Sequence, residues 1–353
     1  MRIGIVGLQG VGKSTLFHLL TGAGQTGHGG RQATIGMCRV PDARIDRLSE
    51  MYNPRKTIYA QMEVHDLPGL VPGAEGANAF LASVREVDAL IQVVQVFDDP
   101  AAPHVLGSVD PVRDMEQVGL ELIFNDMAVI EKKLTQLKEG KKTKGREKEI
   151  SALEKLAGTL EAGRLISAAE LSDEEREAIR SYTFLSDRPM VIAANLGEEA
   201  LAAGDYPGKA ALAAYCADHG LPLVEFSGRV EQELGELSPE ERQEMMVAYG
   251  IDEPGVNKVA RAIYARLGLI SFFTVGPDEV RAWTIEAGTV AKRAAGKIHT
   301  DIEKGFIRAE VMSYEDLARL GSEAAVKAAG LWRLEGKDYV VQDGDVVSYR
   351  FNV

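Results

Sequence analysis

Gly7-Leu8-Gln9-Gly10-Val11-Gly12-Lys13-Ser14-Thr15 lies between a β-branched apolar run, Arg2 to Val6, and a helical pattern, Ser14 to Leu20. Glycines at this spacing let the backbone turn its N–H groups inward around a phosphate, and a helix beginning near Lys13 adds its positive end. The order strand, glycine-rich loop, helix is the context in which a G-x-x-x-x-G-K-S sequence acts as a Walker A loop. The residues from Gly7 to Thr15 are therefore expected to cradle a nucleotide, with Lys13 bridging the β- and γ-phosphates and Ser14 holding Mg2+.

Working outward, Asp66-Leu-Pro-Gly69 follows the apolar strand Met62 to Val64, some fifty residues beyond Lys13. A second phosphate-sensing loop is expected there, with Asp66 reaching Mg2+ through water and the Gly69 amide facing the γ-phosphate. Thr34 falls between the two loops in a glycine-rich, polar stretch and is the candidate switch threonine and metal ligand. Asn195-Leu196-Gly197-Glu198 follows a further apolar strand, Met190 to Ala194, at the position of a base-reading motif. Guanine readers use Asn-Lys-x-Asp there. With Leu196 and Glu198 in place of Lys and Asp, guanine's donors lose their matched acceptor, at a cost of about 1 to 3 kcal/mol, so adenine is favoured. Ser227-Gly228-Arg229, after Leu221 to Phe226, is expected to supply a second wall of the base pocket.

The alternation of strands and helices predicts an α/β fold with a mostly parallel sheet. From about Pro111 the pattern becomes helical: Leu120, Ile123, Met127, Ile130, Leu134 and Leu137 recur at one spacing, then Ile150, Leu153, Leu156 and Leu160. Between them, Lys138 to Lys148 holds six basic and two acidic residues, the expected exposed tip of a helical hairpin. Ser238-Pro239-Glu240-Glu241 is a helix start. Beyond Gly268, short strands such as Arg281 to Glu286 and Tyr339 to Val341 suggest a small α+β module. The expected boundaries are 1–112 and 185–268 for a nucleotide domain, 113–184 for the helical insertion and 269–353 for the last module.

With 353 residues, the chain is long enough for two or three buried cores. A net charge of −13 argues against nonspecific coating of nucleic acid, and nothing points to DNA sequence specificity. The longest apolar stretch, Ala89 to Phe97, is too short to span a bilayer, so a cytoplasmic, unanchored protein is expected, with no membrane partner. Cys38 and Cys216 are too few for a disulfide framework and lack the paired spacing of a zinc site.

Together, the Walker A loop, Asp66-Leu-Pro-Gly-Leu70-Val71, the Asn-x-x-Glu motif and the helical insertion resemble the YchF family of Obg-like ATPases. The most specific similarity is in Glu279-Val-Arg-Ala-Trp-Thr284, Lys297-Ile-His-Thr-Asp301, Glu303 to Val311, Trp332 to Tyr339 and Val341 to Val346, which resemble the family's TGS module, a ubiquitin-like β-grasp. The resemblance covers essentially the whole chain. It implies an ATP-preferring hydrolase with Mg2+, acting as a switch on RNA or the ribosome, and Phe97, which matches a family residue near the base pocket, is by that resemblance a candidate stacking group. Arg281, Lys292, Arg293, Lys297, Lys304 and Arg308 are the corresponding candidate partner-facing cations.

The chain departs from the family's usual pattern in three places. Gly10 stands where the family usually carries the Asn with which related potassium-stimulated hydrolases hold the ion, so the resemblance does not extend to potassium activation. The stretch Val71 to Phe80 is shorter than the family's glycine-rich switch, and His65 replaces an apolar strand residue. Leu70 stands where many GTPases place a water-orienting glutamine, which predicts slow intrinsic turnover. Two alternatives stay open: a genuine GTPase, and a nucleotide-binding ribosome or RNA scaffold with little turnover.

Overall fold

The computed structural model describes residues 1–22, 34–71, 74–99, 103–139 and 145–352. Lys141, Lys142 and Lys144 of the basic tip, and part of the stretch after Val71, lie outside them. Among the described residues the strands in chain order are β1 Arg2–Val6, β2 Thr34–Arg39, β3 Lys56–Ile58, β4 Gln61–Asp66, β5 Ala89–Gln95, β6 Met190–Asn195, β7 Leu223–Phe226, β8 Leu269–Thr274, β9 Glu279–Glu286, β10 Phe306–Ser313, β11 Arg333–Glu335 and β12 Asp345–Phe351. The chain forms two units, Met1–Met37 with Glu63–Ile263, and Cys38–Met62 with Tyr264–Val353.

In the first unit the sheet order is β2-β4-β1-β5-β6-β7. β1 pairs in parallel with β4 on one side and β5 on the other, and β6 and β7 continue the parallel run. All seven residues of β5 are buried, as expected of a strand covered on both faces. Because successive crossovers leave β1 in opposite directions, the crevice beyond its carboxyl end is a topological switch point, where such sheets bind ligands. The helix Lys13–Thr21 starts there. It buries Leu16, Phe17 and Leu20 and stops at Gly22, whose φ of 64° closes the last turn onto the His18 carbonyl.

The helical hairpin comprises Pro111–Glu139 and Glu147–Glu161. Its first helix, 29 residues, is about 43 Å long. The hairpin has its own core, in which Ile123, Ile130 and Leu137 meet Leu153, Leu156 and Leu160. Its root is fixed by Asp126, fully buried, which accepts bonds from Leu185 N (3.1 Å), Ser186 N (2.7 Å) and Ser186 Oγ (2.7 Å). The helix start at Ser238 carries a complete capping box with Glu241. No helix among the described residues is long and apolar enough to cross a membrane.

In the second unit the order is β11-β10-β12-β8-β9-β3, with β12 and β8 parallel at the centre and the pairs β8–β9, β10–β12 and β10–β11 antiparallel. Leaving β3 aside, this is the β-grasp arrangement: two hairpin strands, a helix (Ala291–Ile298), and a last strand returning beside the first. Phe272, Ile285, Ala294, Val311 and Val347 fill the core. Residues 38–62 belong to this unit: β3 adds to the edge of β9, and Arg44 forks between Asp42 (2.8 Å) and Asp343 (2.8 Å).

One expected strand is absent. Tyr339 to Val341 forms a single bridge, Val290 to Val340, rather than a ladder. The reason is local: Asp345 accepts bonds from the Tyr339 hydroxyl (2.7 Å) and from Gln342 N (2.9 Å), folding the segment into a turn before pairing can propagate.

Candidate nucleotide-binding site

The Gly7–Ser14 loop leaves β1 with Leu8 and Val11 buried beneath it and Gln9, Gly10 and Ser14 open to solvent. Gly12 has φ 98°, and a Cβ there would collide with the Asn195 amide, so both its backbone geometry and its neighbour demand glycine. Lys13 is only 8% exposed, and its ammonium donates to the Leu8 carbonyl at 2.6 Å. Burial pulls its pKa down to about 8, and the nearby Asp66 carboxylate opposes that shift. A cation held by one neutral carbonyl in a dehydrated loop is poised for a phosphate oxygen, which would compensate its lost hydration.

β4 delivers Asp66 to the same place. Ser14 Oγ donates to Asp66 Oδ2 at 2.6 Å, and Asp66 Oδ1 is buried with no hydrogen-bond partner. The following loop is stitched to the Walker segment, Leu70 N to Gly7 O at 3.0 Å and Gln9 N to Leu70 O at 3.2 Å. Gly69 lies so close that a Cβ would sit 2.8 Å from Lys13 Nζ and 3.0 Å from Gln9 Cα. A hydroxyl and a carboxylate with an orphaned oxygen suit Mg2+, which takes one or two protein oxygens and completes its shell with water and phosphate. No group of three or more His, Cys, Asp or Glu that could hold a metal ion occurs among the described residues.

Thr34 is the first residue of β2, is exposed, and makes no hydrogen bond to Ser14 or Asp66. His65, buried in β4, contacts Glu63 of the same strand at 2.6 Å. Leu70 is 2% exposed and turned into the core, so its side chain has no reach toward a water above the loop.

Beside the phosphate loop opens a cleft of about 780 Å³, lined among others by Gly12, Thr15, Phe97, Leu196, Glu198 and Gly228. β1, β5, β6 and β7 each end at this crevice, which is why residues so distant in sequence meet there. Asn195 commits both halves of its amide to backbone: Nδ2 donates to Val11 O at 3.0 Å, and Oδ1 accepts from Gly228 N at 3.0 Å. It thereby ties the Walker loop to the loop after β7. Glu198, exposed, opens the short helix Glu198–Ala203. Ser227 is buried with its hydroxyl unpartnered.

Two participants carry no sequence signal. Glu231 is 6% exposed and accepts from Gly255 N (2.9 Å), Val256 N (2.9 Å) and Ser227 N (3.4 Å), closing the loop after β7 onto the start of helix Gly255–Arg266. Burial pushes its carboxyl pKa up, against the pull of those amide bonds. Tyr249 donates its hydroxyl to the Glu198 carboxylate. Both thiols, Cys38 and Cys216, are buried, and burial raises them to about 12 and about 11, so neither is a reactive nucleophile.

In the second unit, the candidate partner-facing cations are interspersed with acids. Arg281 lies over the Trp283 ring at 3.9 Å and near Glu279, and Lys292 and Arg293 share a shallow depression with Glu303 and Asp338.

Residues 2–133 match a family profile described as a 50S ribosome-binding GTPase, and residues 269–352 match the YchF-GTPase C-terminal profile, described as a protein of unknown function. The chain is 43% identical to a protein named ribosome-binding ATPase YchF from Haemophilus influenzae, covering 100% of this chain and 99% of the other. It is 41% identical to the protein of that name from Bacillus subtilis, over the full length of both. The structure of the Schizosaccharomyces pombe YchF GTPase superposes with a TM-score of 0.87 at 34% identity, covering 99% of this chain and 97% of that one. The similarity thus runs over the full length of these relatives, and the chain belongs to the YchF family.

Proposed function

We propose that this chain binds and hydrolyses ATP with Mg2+ and works as a nucleotide-dependent switch on the ribosome, in the cytoplasm. The observation that carries the reading is the convergence of Lys13, Ser14, Asp66 and Gly69: a dehydrated ammonium, a hydroxyl, a carboxylate with one orphaned oxygen, and a backbone fitted against the loop. The loop amides and Lys13 hold the β- and γ-phosphates, and Ser14 and Asp66 hold the metal, Asp66 through water. Magnesium, when bound, neutralises charge building on the phosphate oxygens. Thr34 and the Gly69 amide report the γ-phosphate, and they release when it leaves. Phe97, Leu196 and Gly228 enclose the base, while Asn195 keeps the base loop and phosphate loop in register.

The ribosome enters through the relatives, which carry ribosome binding in their names. Because Leu70 is buried and apolar, no side chain at that position orients the attacking water, and turnover without a partner is slow. Equilibrium binding of ATP and GTP with Mg2+, for the intact chain and for Lys13→Ala, tests the reading. The expected result is tighter binding of ATP, lost in the variant. GTP preference would overturn the base assignment, and binding indifferent to Lys13 would overturn the site.

A further inference from the structure

We propose that Tyr249 sets the purine preference of the cleft by occupying one oxygen of the Glu198 carboxylate. This rests on the reading of Asn195–Glu198 as the base-facing loop. Glu198 lines the cleft, whereas Tyr249 does not; Tyr249 caps the end of helix Pro239–Ala248. Its hydroxyl donates to Glu198 Oε1, and the Glu198 carboxylate has no other hydrogen bond among the described residues. Tyr249 is itself held in place, its backbone N–H bonded to Met245 O at 3.1 Å. A phenol keeps its proton at neutral pH and an ionised carboxylate only accepts, so Tyr249 is the donor. Arg229, which lines the cleft and pairs with Glu233 at 3.4 Å, completes the charged rim.

The chemical consequence follows from the two purine edges. Guanine presents N1–H and N2–H side by side and is read by a carboxylate with both oxygens available. Adenine presents a single donor group, N6, beside the acceptor N1. The phenol takes one lone pair of Oε1 and fixes the orientation of the carboxylate, so Oε2 is its unshared acceptor: enough for N6 of adenine, whereas the second donor of guanine must share Oε1 with the phenol. Tyr249 is therefore a positioning residue that narrows a two-pronged acceptor to one prong.

The test is the ratio of GDP to ADP affinity, measured by calorimetry on the full chain for the wild type, Tyr249→Phe, Glu198→Ala and the double variant. A general packing role for Tyr249 would weaken both nucleotides together and leave the ratio alone. The expected result is a shift toward GDP of about tenfold in Tyr249→Phe, the value of one added bond to a charged acceptor, and no such shift on the Glu198→Ala background. An unchanged ratio with ADP binding intact overturns the proposal while leaving the nucleotide site standing, and so does a shift that persists without Glu198. Failure of the wild type to bind either diphosphate overturns the site and the proposal together.

Discussion

The Ser14 hydroxyl donates to Asp66 Oδ2 at 2.6 Å, across 52 residues of chain, while Oδ1 of the same carboxylate is buried and unpartnered. A buried acceptor without a donor costs about 1 to 3 kcal/mol, which is tolerated where a ligand supplies the missing partner. Asp66→Asn keeps the shape and removes the charge. We expect ATP affinity in Mg2+ to fall by about tenfold or more, with little change in EDTA, since outer ligands of a metal contribute on that scale. Titration with and without Mg2+ checks it; equal losses under both conditions would contradict a metal role.

Lys13 should make nucleotide affinity pH-dependent. Its ammonium form, which pairs with phosphate, is lost above about 8 in the free protein because burial lowers the pKa. Phosphate binding raises that pKa, so affinity should be flat at and below neutrality and should fall as pH rises through about 8, approaching tenfold per unit. Dissociation constants for ADP measured from about pH 6.5 to about 9.5 test this, with Lys13→Met expected to abolish the decline.

Gly69→Ala should weaken ATP without unfolding the protein. The added methyl meets Lys13 Nζ, which moves, and Gln9 Cα, which does not move freely, so the two loops are pushed apart. Separation should cost about 1 to 2 kcal/mol, roughly tenfold in ATP affinity. Calorimetric titration of the variant, with circular dichroism as the folding control, measures it.

Asp126→Ala should loosen the hairpin root. It strands the amides of Leu185 and Ser186 in a buried position, at a cost of about 3 kcal/mol. Urea unfolding should show the loss, and amide exchange should localise it to the hairpin while the phosphate loop stays protected.

The phosphate loop and the Asp66 loop are legible in sequence because phosphate chemistry dictates residue types at fixed spacing beside a strand. The hairpin is legible because its core repeats at helical period. Asn195 is legible as a position, yet not in what its amide does, because its partners Val11 and Gly228 lie 184 and 33 residues away. Glu231 reads as one more acid on a surface helix, and only the fold shows it bonded to Gly255 and Val256. The attachment of 38–62 to the β-grasp is invisible for a similar reason. It rests on a three-residue strand and on Arg44 meeting Asp343, 299 residues away. Tyr339 to Val341 has the aromatic and β-branched composition of a strand, but Asp345 diverts it into a turn.

The central claim is that Lys13, Ser14, Asp66 and Gly69 form a magnesium-dependent ATP-cleaving centre. Single-turnover cleavage of ATP and GTP, with excess protein and Mg2+, tests it most directly, with Lys13→Ala alongside. ATP should be cleaved slowly but measurably, faster than GTP, and not at all by Lys13→Ala. Tight, Lys13-dependent ATP binding with no cleavage even in the presence of ribosomes would contradict it.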